Sequence, residues 1–354
     1  MIPFALLGLV PIALGLDWLA AGPVWVFLTG AAAVAVLADW VRRGTEQLAM
    51  HVGPSIGGLL NVSFGSMSEL ILALFVLLSG QVQVVQAQIT GSIIATSLLG
   101  LGLAALAGGI GRERQRFSRA HAGLLSTLLV LLTVAMVLPA VFEITERAGH
   151  SETEIAVTSE ELSLAVSVVL LVLYAANLLY TLVTHRDVFG GEDRGGKPAW
   201  SLALSLGVMV GGTVVVALLS EVVSGALSDA AGQLGLSPVF LGVILLAVVG
   251  TAADLFAAVA FARQDRMDIA LGICIGSAVQ VALVVAPLLV LLSWALGSPM
   301  TLVFHSPLDL LAVTAAAITV RAVAADGETT WFEGLLLVGV YAMLGLAFFF
   351  IGPA

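Results

Sequence analysis

The feature that most constrains this chain is a succession of apolar stretches, each long enough to cross a lipid bilayer. A transmembrane helix needs about 20 apolar residues, and the 354-residue sequence contains eleven such stretches. Only 10% of the residues are charged, too few to cover the surface of a soluble fold. The sequence therefore predicts an all-α polytopic membrane protein with about eleven transmembrane helices. The predicted crossings are residues 2–20, 23–42, 55–79, 83–110, 119–143, 161–184, 199–227, 237–262, 268–296, 304–324 and 331–351.

Composition excludes several classes of function. The net charge is −10 with 13 Lys and Arg residues, which argues against a nucleic-acid binder. The single cysteine, Cys274, excludes a disulfide framework, a cysteine-based zinc site and an iron–sulfur cluster. No phosphate-binding loop occurs, so direct drive by ATP is not expected. We expect a transporter or channel rather than an enzyme, with a lipid bilayer around it and no cofactor.

The basic residues are segregated to one side of the membrane. Apart from Arg147, they all lie at or after the ends of the even-numbered crossings, which places them on the same side of the membrane. The positive-inside rule makes that side cytoplasmic. The N-terminus is then cytoplasmic, and the short loops favour a bacterial plasma membrane. The acidic segment from Glu146 to Glu161 is predicted as the longest outer loop. The twelve segregated residues are Arg42, Arg43, Arg112, Arg114, Arg116, Arg119, Arg186, Arg194, Lys197, Arg263, Arg266 and Arg321.

The sequence repeats itself at an offset of 185 residues, and the matched positions are mostly glycines, hydroxyl residues and acids. The matched pairs are Gly57/Gly242, Leu60/Leu245, Gly65/Gly250, Ser66/Thr251, Glu69/Asp254, Leu70/Leu255, Gly91/Gly276 and Ser92/Ser277. Five crossings separate the matched helices, and this odd number inverts one half relative to the other. Inverted repeats are typical of secondary transporters. We predict an N-terminal helix (1–22), a first five-helix repeat (23–185), a cytoplasmic linker (186–198) and a second five-helix repeat (199–351).

Two carboxylates occupy matched positions inside apolar helices. Glu69 precedes an apolar run in the third crossing, and Asp254 follows one in the eighth. A carboxylate at mid-bilayer costs roughly 2.5–3.5 kcal/mol on insertion scales, and neither helix contains a basic residue close enough to pair with it. Such a group either takes up a proton or binds a cation. A site that alternates between the two performs proton/cation exchange.

The neighbours of both acids fit a cation and proton site. A glycine four residues earlier and a hydroxyl three residues earlier share the helix face of each acid. Two carboxylates, two hydroxyls, backbone carbonyls and water approach the roughly six to eight oxygens that Ca²⁺ takes. The predicted site residues are Gly65, Ser66, Glu69, Gly250, Thr251 and Asp254, with Glu69 and Asp254 as metal ligands.

Other polar groups in the predicted helices are weaker candidates. Glu46 follows the second crossing and Glu221 lies inside the seventh, where each is a candidate proton relay or gate, or an interfacial carboxylate. Gln280 follows Gly276 by one helical turn, and it is a third candidate for a proton relay or gate. For Gln86 and Gln88, hydrogen bonding inside the bundle is the default interpretation.

The motifs that carry these residues resemble the Ca²⁺/H⁺ antiporter family of the cation/Ca²⁺ exchanger superfamily. The similar segments are residues 57–71, 242–254, 276–283 and 325–335, and the resemblance extends over about residues 40 to 351. It implies that the first of eleven helices lies outside two five-helix repeats. It also implies a central cation site at Glu69 and Asp254, with helices 2 and 7 sliding to give alternating access.

The sequence departs from that family at the site. The family pattern Gly-Asn-x-x-Glu has Ser66 and Thr251 in place of asparagine and Asp254 in place of glutamate, and Thr96 stands where an asparagine is frequent. Ca²⁺/H⁺ antiport is the leading hypothesis. The alternatives are the same fold with Na⁺, K⁺ or Mn²⁺ selectivity, or an uncoupled cation channel or sensor. The sequence is also compatible with a homo-oligomer.

Overall fold

Eleven apolar helices make up the described part of the chain. The computed structural model describes residues 4–52, 57, 60, 64–146, 152–184, 198–304 and 306–350. The eleven-helix membrane architecture is confirmed. Nine of these helices are long enough to cross a membrane, whereas the first and third are shorter. The helices are α1 (Phe4–Trp18), α2 (Pro23–Val52), α3 (Met67–Leu78), α4 (Val82–Gly109), α5 (Arg119–Glu146), α6 (Glu152–Leu179), α7 (Leu202–Leu234), α8 (Pro238–Arg263), α9 (Met267–Ala295), α10 (Pro307–Ala324) and α11 (Trp331–Phe350).

Helix α2 continues well beyond its predicted end at residue 42. It runs to Val52 because its charged residues pair along one helix face: Arg42 binds Asp39 at 3.0 Å and also binds Glu46, while Arg43 binds Asp39. Pairs three or four residues apart stabilise a helix. Glu46 therefore lies inside α2. The prediction that it follows the second crossing is wrong.

The predicted long outer loop between residues 146 and 161 is wrong. Helix α6 begins at Glu152, so the acids Glu154, Glu160 and Glu161 belong to its first turns. Glu154 is close enough to the helix N-terminus to interact favourably with the unpaired backbone N–H groups there. Residues 147–151 lie outside the described residues, as do residues 185–197, which hold most of the predicted linker.

The repeat is visible in the backbone as well as in the sequence. Helix α4 contains a π-helical stretch at Ala95–Gly100, and α9 contains one at Val281–Val285. The offset of 185 carries the first stretch onto residues 280–285. Helix α8 contains a further π-helical stretch at Leu241–Leu246. Single π turns within α-helices frequently accompany functional sites, and all three lie close to the matched motifs.

Three loops meet on one face of the bundle, which we call the arginine-rich face. Strand β1 (Gln115–Arg116), between α4 and α5, pairs antiparallel with strand β2 (Glu328–Thr329), between α10 and α11. Arg114 binds Glu328 at 2.9 Å, and Arg112 binds Asp265 of the α8–α9 loop at 3.5 Å. The basic residues of these three loops thus lie on one contiguous surface. The strand pair is the one addition to the all-α prediction among the described residues.

Two helix contacts place the repeats against each other. Helix α2 packs along the length of α7. Helix α4 meets the first turns of α8 backbone to backbone: a Cβ on Gly91 would overlap the Val243 carbonyl oxygen, and one on Gly242 would lie 2.8 Å from the Val84 carbonyl oxygen. Only glycine permits so close an approach. The helices that carry the matched motifs are therefore neighbours in the centre of the bundle.

Candidate cation site

Glu69 is buried at the start of α3. Gly65 is helical, Ser66 is in a turn, and the helix resumes at Met67, so the carboxylate follows an interruption in the crossing. The side chain is 4% exposed, and its Oε1 has no hydrogen-bond partner among the described residues. An unpaired oxygen at this depth is costly. A proton or a cation at this position would remove that cost.

Asp254 lies across from Glu69 on α8. It is half-buried, and the two carboxylates are close enough to interact electrostatically. A methyl group on Gly250 would lie 3.4 Å from Cγ of Glu69, so the glycine of one repeat makes room for the acid of the other. The structure thus brings Glu69 of the first repeat together with Gly250 and Asp254 of the second.

Four hydroxyls surround the two acids. Ser66 and Thr251 are buried, and Thr251 Oγ1 donates to the Ala247 carbonyl at 2.8 Å, which leaves its lone pairs for another partner. Ser92 lies beside Glu69, and Ser277 lies beside Asp254. Neither serine Oγ has a hydrogen-bond partner among the described residues.

Ser92 and Ser277 are not among the site residues predicted from the sequence. The repeat contained the signal, because both serines follow a matched glycine and keep the offset of 185. The spacing does not show which groups the serines contact. In the structure each serine lies beside the acid of its own repeat.

A cavity of about 360 Å³ reaches Asp254 from the arginine-rich face. It has room for several water molecules. Glu69 does not line it and lies deeper in the bundle. The lining comes from α2, the segment before α3, α5, α6, α8 and α9, and includes Arg42, Glu46, Gly65, His121, Asp254 and Gln280.

Gln280 reaches the site from α9. A methyl group on Gly65 would lie 3.7 Å from Oε1 of Gln280, and both residues line the cavity with Asp254. Gln280 therefore lies with the matched motifs in the structure. Its role in proton transfer or gating stays a prediction.

Arg42 brings a positive charge to the site that the sequence does not predict. It lines the cavity with Asp254 and interacts with it electrostatically, while its ion pairs go to Asp39 and Glu46. Asp39 is itself only 2% exposed. Nothing local reveals this contact, because Arg42 and Asp254 lie on helices that are far apart in the chain. The cavity thus has a guanidinium near its carboxylate.

The two weaker acidic candidates have different surroundings. Glu46 lines the cavity, whereas Glu221 is exposed on the surface of α7 and is not brought to the site. A relay or gate role therefore suits Glu46 better than Glu221.

We expect Glu46→Gln to slow cation-dependent proton flux about threefold to tenfold at low salt, because the unbalanced Arg42 charge would repel cations from the cavity. High salt should reduce the effect. Glu221→Gln is the matched control and should stay within about twofold of the parent. The measurement is the initial flux in proteoliposomes at two ionic strengths. Equal losses in both variants would contradict this assignment.

The oxygen donors around the acids suit a hard cation. Among the described residues, no three His, Cys, Asp or Glu side chains come together as a ligand set. A cation between Glu69 and Asp254 would therefore take its other ligands from hydroxyls, carbonyls and water, which Ca²⁺ accepts.

Comparison with known proteins covers nearly the whole chain. The profile of the family described as sodium/calcium exchanger protein matches residues 22–183 and 204–350. The Ca²⁺/H⁺ antiporter of Aphanothece halophytica is 39% identical over 363 aligned positions, which cover 98% of this chain and 96% of that protein. The Ca²⁺/H⁺ antiporter ChaA of Bacillus subtilis is 37% identical over 324 positions, or 90% of each chain.

The fold agrees with a solved structure. The structure of native YfkE superposes with a TM-score of 0.85 at 32% sequence identity, covering 98% of this chain and 99% of that chain. The helical arrangement described above has thus been observed in another protein of similar sequence.

Proposed function

The chain belongs to the sodium/calcium exchanger protein family, and from this premise we propose that it is a secondary antiporter that exchanges Ca²⁺ for protons. The observation that carries the proposal is the pair Glu69 and Asp254, contributed by the two repeats and brought together in the bundle. Oxygens of Glu69, Ser92 and Ser277 at this site have no hydrogen-bond partner in the described part of the chain. The relatives named Ca²⁺/H⁺ antiporter support the choice of Ca²⁺.

Competition for the same oxygens couples the two ions. Two ionised carboxylates that are buried together repel each other, so the site needs either bound protons or a bound cation to neutralise them. A Ca²⁺ ion satisfies both acids at once, and protons satisfy them one at a time. The site therefore cannot hold the dication and its full complement of protons together, which makes the exchange obligatory.

Access to the site alternates between the two faces of the membrane. The cavity joins Asp254 to the arginine-rich face, while Glu69 is closed off from it. With that face in the cytoplasm of a bacterium, as the basic residues favour, this is the state that loads Ca²⁺ for export across the plasma membrane. The N-terminus is then cytoplasmic, and Ca²⁺ is the cargo and not a resident cofactor.

Transport by purified protein in proteoliposomes tests the proposal. A pH gradient should drive Ca²⁺ movement, and Ca²⁺ addition should move protons in the opposite direction with a fixed ratio. The same assay run with Na⁺, K⁺ and Mn²⁺ tests the alternative selectivities that Ser66, Thr251 and Asp254 leave open. Cation current without proton movement would refute antiport and favour a channel.

Cation binding should weaken as the pH falls, because protons occupy the same carboxylate oxygens. We expect the apparent Ca²⁺ affinity to rise from acid to neutral pH, with about two protons released per Ca²⁺ when both acids start protonated. A monovalent cation should release about one. Calorimetry in buffers of different ionisation enthalpy measures the release directly. Binding that is independent of pH, with no proton release, would exclude exchange at this site.

A further inference from the structure

Two glutamines on α4 differ sharply in their surroundings. Gln86 is 4% exposed, and its Nε2 donates to the carbonyls of Thr301 at 3.0 Å and Val303 at 2.9 Å. Gln88 is 1% exposed, but among the described residues neither its Oε1 nor its Nε2 has a hydrogen-bond partner. A buried amide without partners is rare in a native structure. The amide of Gln88 thus lacks, among the described residues, the hydrogen bonds that Gln86 makes.

Gln88 lies on the face of α4 that points to the cation site. It is one helical turn from Ser92, and residues four apart share a face; Ser92 lies beside Glu69. Helix α4 ends at Gly109, near the arginine-rich face, so Gln88 lies on the far side of Ser92, toward the opposite face. It therefore extends a line of unpaired polar groups from Glu69 in the direction that the cavity does not reach.

The repeat relates Gln88 to a residue of the open cavity. The offset of 185 matches it with Ile273, which lines the cavity one turn from Ser277. The residues of α9 on this side are half-buried, whereas their counterparts on α4 are all buried. The half-buried set is Gly272, Ile273, Gly276 and Gln280, and the buried set is Ala87, Gln88, Gly91 and Ala95. The two halves of the molecule are thus in different states, one open and one closed.

We propose that Gln88 lines the half of the cation pathway that opens toward the opposite face, one helical turn from Ser92. When that half opens, the amide forms hydrogen bonds with water. Its oxygen coordinates the cation as the ion moves between the opposite face and Glu69. In the closed state the amide has no hydrogen-bond partner within the described ranges. This proposal rests on the proposed exchange function, because exchange requires both access states.

Thiol labelling with matched glutamine variants tests the proposal. In a Cys274→Ser background, which removes the one native cysteine, Gln88→Cys and Gln86→Cys are treated during Ca²⁺/H⁺ exchange with a membrane-impermeant maleimide on either side. Exposed positions calibrate the sides: Ser298→Cys for the opposite face and Arg116→Cys for the arginine-rich face. We expect Gln88→Cys to react from the opposite face about tenfold faster than Gln86→Cys.

The result that would overturn the proposal is equally slow labelling of both glutamine variants while Ile273→Cys reacts from the arginine-rich face. Labelling reports access and not flux, so it separates this proposal from the proposed function. A protein that labels at Gln88→Cys but moves no protons with Ca²⁺ would retain the pathway and refute the antiport.

A second pair of variants separates a pathway role from a packing role. Gln88→Met removes an unpaired amide and should leave the melting temperature unchanged or raised, yet slow Ca²⁺/H⁺ exchange about fivefold to tenfold. Gln86→Met leaves two carbonyls without their donor and should lower the melting temperature. A Gln88→Met protein that exchanges at the parent rate would contradict the pathway role.

Discussion

Glu69→Gln and Asp254→Asn should each reduce Ca²⁺-dependent proton flux at least about a hundredfold, because each leaves one buried carboxylate without its counterpart around the dication. An amide keeps the shape of the side chain but can neither take up a proton nor balance positive charge. The measurement is proton release on Ca²⁺ addition to proteoliposomes, together with calorimetric Ca²⁺ binding.

The matched control for these variants is Glu161→Gln, an exposed acid in the first half of α6. It should exchange at close to the parent rate. Melting temperatures distinguish loss of function from loss of fold, and we expect both site variants to be at least as stable as the parent, because each removes a buried charge. A Glu69→Gln protein with near-parental flux would place the site elsewhere.

Alanine substitutions at Gly91 and Gly276 should shift the two access states in opposite directions. A Cβ on Gly91 would overlap the Val243 carbonyl oxygen, so Gly91→Ala disrupts the close contact between α4 and α8 in the present state. Gly276 has nothing within 4 Å of its added Cβ among the described residues, so the present state tolerates alanine there. Overpacking costs about 1–3 kcal/mol, which changes the ratio of two states about fivefold to 150-fold.

Labelling of Ile273→Cys from the arginine-rich face measures this ratio. In the Cys274→Ser background, adding Gly91→Ala should slow the reaction, at most by the factor of about fivefold to 150-fold by which the ratio of the two states changes. Adding Gly276→Ala should leave the labelling rate unchanged or raise it. Gly276 is matched with Gly91, so we expect a backbone to pack against Gly276 in the other access state. Similar slowing by both alanines would show that the two glycines do not mark alternate closures.

The number of helices, the repeat and the two central acids could be predicted because each leaves a local trace. Hydropathy identifies crossings, and the offset of 185 finds Glu69 and Asp254 without any structure. Helix ends are less predictable. Helix α2 extends to Val52 through Asp39, Arg42 and Glu46, and hydropathy counts those residues against a helix although they pair with one another.

Contacts between distant helices left no trace in the sequence. The approach of Arg42 to Asp254 depends on how α2 packs against α8, and the direction in which Glu221 points depends on which face of α7 meets α2. Helix α7 is apolar nearly all round, so its sequence does not mark the inward face. The contrast between Gln86 and Gln88 is of the same kind, since only the bundle decides which amide finds carbonyls.

The ion pairs of α2 also determine how this helix responds to voltage. Its ionised side chains are Asp39, Arg42, Arg43 and Glu46, and their charges sum to zero. A membrane potential of 100 mV does work of about 2.3 kcal/mol on each elementary charge that crosses it, but almost none on a neutral helix. Movement of α2 is therefore electrically silent. Movement of α2 then contributes no current, and an exchange of two protons for one Ca²⁺ transfers no net charge across the membrane.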